Sequence, residues 1–153
     1  MTLTDSYVAQ GPIADAIRDG ILPGRVWLYS NYHCNLACSY CLTESSPRSE
    51  RRELTAQQMI AVAEQSRELG FTALGITGGE PFLLPWLPDA VLEMVKFLPL
   101  VLLNNGTLFV GDRLERAAKL AHPDIALQIS LDSHLSDIND MARGPENFAK
   151  VVV

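Results

Sequence analysis

Four short apolar segments alternate along this chain with stretches whose apolar residues recur at helical spacing. That alternation limits the fold more than any other feature, because strands joined one after another by helices must pair in parallel, with right-handed crossovers. The strand-like segments run from Arg25 to Ser30, Thr72 to Thr77, Leu100 to Leu103 and Ile125 to Leu131. After the first, Thr55 with Gln58 forms the signature of a capping box, and the helix it opens carries Met59, Val62, Ala63 and Leu69 until Gly70 closes it. After the second, Leu87, Val91, Met94, Val95 and Leu98 form a stripe, with Pro88 tolerated in the first turn. Asp112 and Glu115 start the next helix, with Leu114, Ala117, Ala118 and Ala121 as its apolar face. Beyond the fourth segment the reading is a loop through Arg143-Gly144-Pro145, then a last helix opening at Glu146. The expected class is α/β with a parallel sheet.

A chain of 153 residues can bury one core. No linker or repeat divides it, so we read residues 1–21 as a lead-in and 22–153 as a single domain. The lead-in holds a short helix after Gly11-Pro12, with Ile13 and Ile17 four apart, closed by Gly20 and Pro23. A net charge of −6 argues against a nucleic-acid-binding surface. No apolar run approaches the roughly 18 residues of a membrane span, and the first residues lack the pattern of a signal peptide. A cytoplasmic protein without nucleic-acid or membrane partners is the expectation.

All three cysteines lie within Cys34-Asn35-Leu36-Ala37-Cys38-Ser39-Tyr40-Cys41. An odd number of thiols in one C-x3-C-x2-C cluster fits metal ligation better than a disulfide framework. Three soft ligands on a four-iron cluster would leave one iron free for another molecule, whereas a structural zinc wants four protein ligands. Zinc with His33 as fourth ligand is the competing reading, although adjacent residues rarely point at one metal. The other polar motifs also follow strand ends: Gly78-Gly79-Glu80 after the second, Asn104-Asn105-Gly106 after the third, Ser130 and Asp132 at the end of the fourth. Parallel α/β folds bind ligands at the carboxyl ends of their strands, so all four motifs are expected at one mouth.

Plain structural readings stand beside these. Gly78-Gly79 is also an ordinary turn, Glu80 a group suited to the helix N-terminus that follows, and Ser130 a solvent-facing strand residue. Arg48, Glu50, Arg51 and Arg52 read as solvated surface, as do His122 and His134, and Trp27, Tyr29 and Trp86 as core or rim. Arg143 has two open readings, a cation for a carboxylate or a surface residue.

With the cysteines and Ile76-Thr77-Gly78-Gly79-Glu80-Pro81-Phe82-Leu83 in view, the chain from about Arg25 onward resembles the radical S-adenosylmethionine (radical SAM) superfamily. It is most similar to the branch holding the molybdenum-cofactor cyclase and the SPASM-type peptide-modifying enzymes. The resemblance implies a partial TIM-like (βα)n barrel, of which about four of the family's six βα units are present, so the chain reads as the N-terminal part of a longer enzyme. It implies a [4Fe–4S] cluster on Cys34, Cys38 and Cys41, with S-adenosylmethionine (SAM) on the remaining iron. Reductive cleavage of SAM would give a 5′-deoxyadenosyl radical that abstracts a substrate hydrogen. Tyr40 would lie along the adenine, Gly78, Gly79 and Glu80 would receive the methionine ammonium, and Ser130 and Asp132 would reach the ribose or carboxylate. Asn104 replaces the threonine of the family's Thr-Asn-Gly and is kept as a cofactor contact. A flavodoxin or ferredoxin would supply the electron, and the unknown substrate includes peptides among its candidates. The alternatives are a zinc-stabilised binding module and an inactive remnant.

Overall fold

A computed structural model of the protein describes residues 8–152. Four parallel strands form one sheet in chain order: β1 (Arg25–Tyr29), β2 (Ala73–Thr77), β3 (Leu100–Asn104) and β4 (Ile125–Ile129). Helix α1 (Pro12–Arg18) precedes the sheet, and α2 (Ala56–Glu68), α3 (Leu87–Met94) and α4 (Asp112–Ala118) join successive strands. Helices α5 (Ser136–Arg143) and α6 (Asn147–Val152) follow β4. Residues 1–7 of the lead-in, and the final valine, lie outside the described residues.

Register sorts the side chains. Leu28 pairs with Ile76, and Ile76 with Leu102, so this row shares one sheet face by the two-residue period of a strand. That face packs against Met59 and Ala63 of α2 and Leu87, Val91 and Met94 of α3. Met59, Leu74, Ile76, Leu87 and Leu102 have no exposed surface, and each such burial is worth about 1.5–3 kcal/mol. The opposite face is open. Trp27 and Tyr29 are 44% and 47% exposed, and the Trp27 ring lies flat where a side chain on Gly75 would stand.

The expected capping box is present: Thr55 Oγ1 accepts from the Gln58 amide at 3.2 Å, and Gln58 Oε1 accepts from the Thr55 amide at 2.8 Å. Arg48, Glu50, Arg51 and Arg52 are exposed, as are His122 and His134. Among the described residues, no helix is long and apolar enough to cross a membrane.

One segment differs from the sequence reading. The loop expected before Glu146 contains α5, and Arg143 ends that helix rather than sitting in a loop. The inward face of α5 is polar, with Asn139 and Arg143 buried while Ile138 and Met141 are 49% and 82% exposed. Hydrophobic periodicity cannot mark a helix whose buried stripe is an amide and a guanidinium.

Candidate active site at the carboxyl ends of the strands

The loops leaving β1 and β2 continue the strand pairing after the strands end. Ser30 N donates to Thr77 O at 2.8 Å, Gly79 N to Asn31 O at 2.7 Å and Glu80 N to His33 O at 3.0 Å. The buried Asn31 amide closes the seam by donating to the carbonyls of His33 and Glu80 at 2.9 and 3.1 Å. The two glycines are what let the loops approach. A Cβ on Gly79 would strike the His33 carbonyl and one on Gly78 the Asn31 carbonyl, and Gly78 has a φ of 144°. The Cβ side of both glycines is therefore filled by the cysteine loop's own backbone.

Three free thiols meet above this seam. Cys34, Cys38 and Cys41 line a cavity of about 330 Å³ together with Tyr40, Gly78, Gly79, Asn104, Asn105, Ser130 and Arg143. The motifs after all four strands thus reach one mouth, as expected. Its described lining holds no imidazole and no carboxylate. The His33 ring faces the Ser49 carbonyl, with Nδ1 at 3.4 Å, and is not part of the lining.

The thiols sit in different surroundings. Cys34 is 7% exposed and burial pushes its pKa up, although the Leu36 amide donates to its Sγ at 3.4 Å. Burial raises Cys38 as well, against the nearby Arg143 charge. Burial also acts on Cys41, but hydrogen bonds from the Thr43 hydroxyl and the Ser45 amide outweigh it and hold this thiol below its usual range.

Glu80 lies beneath the cavity rather than in its wall. It is 1% exposed, with Oε1 accepting from the Phe82 amide at 3.0 Å and Oε2 from the Asn105 amide at 2.8 Å. The first bond caps the 3₁₀ turn Pro81–Leu83, and the second ties the β2 exit to the β3 exit. Burial pushes its pKa up to about 7, against the two backbone donors.

Asn105 was expected at the mouth as part of Asn104-Asn105-Gly106, and the structure gives it a role of its own. Its Nδ2 donates to Cys34 Sγ at 3.8 Å and Asn35 Oδ1 at 2.9 Å, while Oδ1 accepts from Thr107 N at 3.0 Å and Thr107 Oγ1 at 2.7 Å. Thr107 fixes which way the amide faces. One residue therefore touches a thiol through its side chain and Glu80 through its backbone. The neighbouring Asn104 side chain turns back into the sheet, donating to Gln128 O at 3.3 Å and accepting from Gly106 N at 2.9 Å. Ser130 is half-buried at the cavity wall, its amide bonded to Asn104 O at 2.9 Å.

At the far rim, Asp132 accepts from Tyr40 Oη at 2.7 Å and from Arg143 Nη2 at 2.9 Å. Burial would raise the carboxyl, but these two donors hold it below the usual range. Burial, and then the bond to Asp132, push the Tyr40 hydroxyl up to about 12, so it stays a donor. Arg143 is 8% exposed and paired with Asp132, which excludes the surface reading of this residue.

Comparison with known proteins bears on the fold and the family. Mycofactocin maturase MftC of Mycobacterium ulcerans is 34% identical over 126 residues, covering 79% of this chain and 32% of that protein. The 7-carboxy-7-deazaguanine synthase of Methanothermobacter thermautotrophicus is 35% identical over 123 residues, covering 78% of this chain and 47% of the relative. Among solved structures, Streptococcus suis SuiB bound to S-adenosylmethionine superposes with a TM-score of 0.70 at 20% identity, over 90% of this chain and 33% of SuiB. That likeness shows a shared fold. The chain thus spans between a quarter and a half of the curated relatives it matches. A model of the radical SAM superfamily, whose members use a [4Fe–4S] cluster and SAM, matches residues 28–152, and the chain belongs to that superfamily.

Proposed function

We propose that this chain holds a [4Fe–4S] cluster on Cys34, Cys38 and Cys41 and binds SAM between the cluster and the glycine loop, as the core part of a radical SAM enzyme. The observation that carries this reading is the donor set, three free thiols in one cavity with no fourth metal-ligating side chain in its described lining. Among the described residues, no three or more His, Cys, Asp or Glu side chains group closely enough to share a single ion. A cubane asks for something else, one thiolate on each of three separate irons. Zinc held with His33 is disfavoured by the orientation of that ring toward Ser49.

A cluster held by Cys34, Cys38 and Cys41 would supply one-electron reduction of the SAM sulfonium, the chemistry that opens hydrogen abstraction from a substrate. The chain's own residues bind and orient. Gly78 and Gly79 offer backbone at the wall facing the thiols, the Tyr40 ring offers a stacking face and Ser130 a polar group, while Asn104, its side chain bonded into the sheet, contributes to the wall. Glu80 serves through the loop it holds, since each of its oxygens already takes a backbone donor. Asp132 stands at the rim beside Tyr40 and Arg143.

Residues 22–153 form the core domain in this reading, with 1–21 as lead-in. A peptide substrate is favoured, because relatives include a maturase and a PqqA peptide cyclase, and SuiB has been solved bound to its precursor peptide SuiA. A cytoplasmic setting with a flavodoxin or ferredoxin as reductant completes the proposal. Anaerobic reconstitution with iron and sulfide tests it. About four irons and four sulfides per chain, lost in Cys38→Ala, are expected. Stoichiometric zinc with no iron uptake overturns the reading.

A further inference from the structure

The contact between the cysteine loop and α5 has no part in the function proposed above. Tyr40 and Arg143 come from segments about a hundred residues apart and meet on the two oxygens of one carboxylate, at 2.7 and 2.9 Å. The Arg143 guanidinium also stands 5.6 Å from the centre of the Tyr40 ring, so the three groups form a closed triangle. Two further hydrogen bonds flank it. Ser39 N donates to Ala142 O at 3.0 Å, and Asp132 N donates to the buried Asn139 Oδ1 at 3.1 Å. Arg143 Nε is buried with no partner, so Asp132 is the acceptor that holds this guanidinium in place.

We infer that Asp132 is a positioning residue, a clasp that closes the cysteine loop onto α5 and fixes the Tyr40 ring and the Arg143 guanidinium at the cavity wall before any ligand arrives. The carboxylate is absent from the cavity lining, whereas Tyr40 and Arg143 belong to it. Tyr40 is 50% exposed, and without the clasp its ring would sample several rotamers over the cavity mouth. Ordering that ring in advance removes part of the entropic cost of ligand binding. The inference rests on the proposed function only for the identity of that ligand.

Two measurements on the full chain test the clasp, using Asp132→Asn and Tyr40→Phe, which keep shape while removing the charge or the hydroxyl. In hydrogen exchange without cofactor, the Ser39 amide is expected to exchange about tenfold faster in each variant, the worth of one charge-assisted hydrogen bond. The double variant should go no further than Asp132→Asn alone. Unchanged exchange in both variants, or fully additive effects, overturns the clasp. In the reconstituted chain, both variants should weaken SAM binding by about the same factor, again without additivity. Weakening by Asp132→Asn but not by Tyr40→Phe makes Asp132 a direct cofactor contact and overturns the inference. If the reconstituted wild-type chain binds no SAM, the proposed function fails, while the exchange measurement still decides the clasp.

Discussion

The two sides of the cavity are built differently. On the β1–β2–β3 side, backbone meets backbone: Gly78 and Gly79 press on the cysteine loop, Asn31 closes the seam, and the buried Glu80 carboxylate ties two strand exits together. On the β4–α5 side, the wall depends mainly on side chains, with Tyr40 and Arg143 meeting on a carboxylate that is 32% exposed. Strand β4 is itself open, with Leu127 and Ile129 39% and 43% exposed. Backbone seams of buried groups open only with much of the fold, whereas contacts between exposed side chains open locally. The first wall is therefore a fixed frame for the thiols, and the second keeps its shape through the Asp132 clasp, which a single substitution can loosen.

Substitutions that break the frame should outweigh those on the clasped side. Gly79→Ala sets a methyl against the His33 carbonyl and should cost on the order of 4 kcal/mol, near the top of the range for single substitutions. Urea denaturation measures it, and iron uptake should fall with it. Glu80 gives the next largest effect, through pH. Its native pKa of about 7 lies above the unfolded value of about 4.3, so between them the native state binds more protons. Stability should then decline as pH rises through that window, by roughly 3–4 kcal/mol in all. Glu80→Gln should flatten this slope in urea midpoints taken from pH 5 to 7.5.

Asn105→Ala removes the amide that bridges Cys34 and Asn35 and should cost about 2 kcal/mol by the same assay. Across the cavity, Asp132→Asn should lower stability by only about 1 kcal/mol, with the wild-type advantage shrinking at high salt. The smallest change is expected on the outer surface, where Arg52→Ala removes an exposed pair with Glu50 and should stay within about 0.5 kcal/mol. A larger loss for Asp132→Asn than for Gly79→Ala would erase the distinction between the two walls.

What the sequence disclosed follows the same division. Strands and apolar helices were legible because burial imprints a period on them, and the cysteine and glycine motifs are dense enough to place a site. Helix α5 was not legible, since its inward residues are Asn139 and Arg143. The supporting amides were equally hidden. Nothing in the letters Asn31 or Asn105 distinguishes a buried bridge from a turn residue, because that role is set by partners far away in the chain. The glycines were placed correctly at the mouth, yet the structure adds a reason the motif does not carry: their missing side chains make room for the neighbouring loop.

The reading stands on Cys34, Cys38 and Cys41 being the residues that would hold a cluster, in the cavity that Gly78 and Gly79 also line. Electron paramagnetic resonance of the reduced, reconstituted chain before and after addition of SAM tests it most directly. A [4Fe–4S] signal that shifts on SAM addition in the wild type and is missing in Cys38→Ala is expected. A cluster signal that SAM leaves unchanged would contradict it.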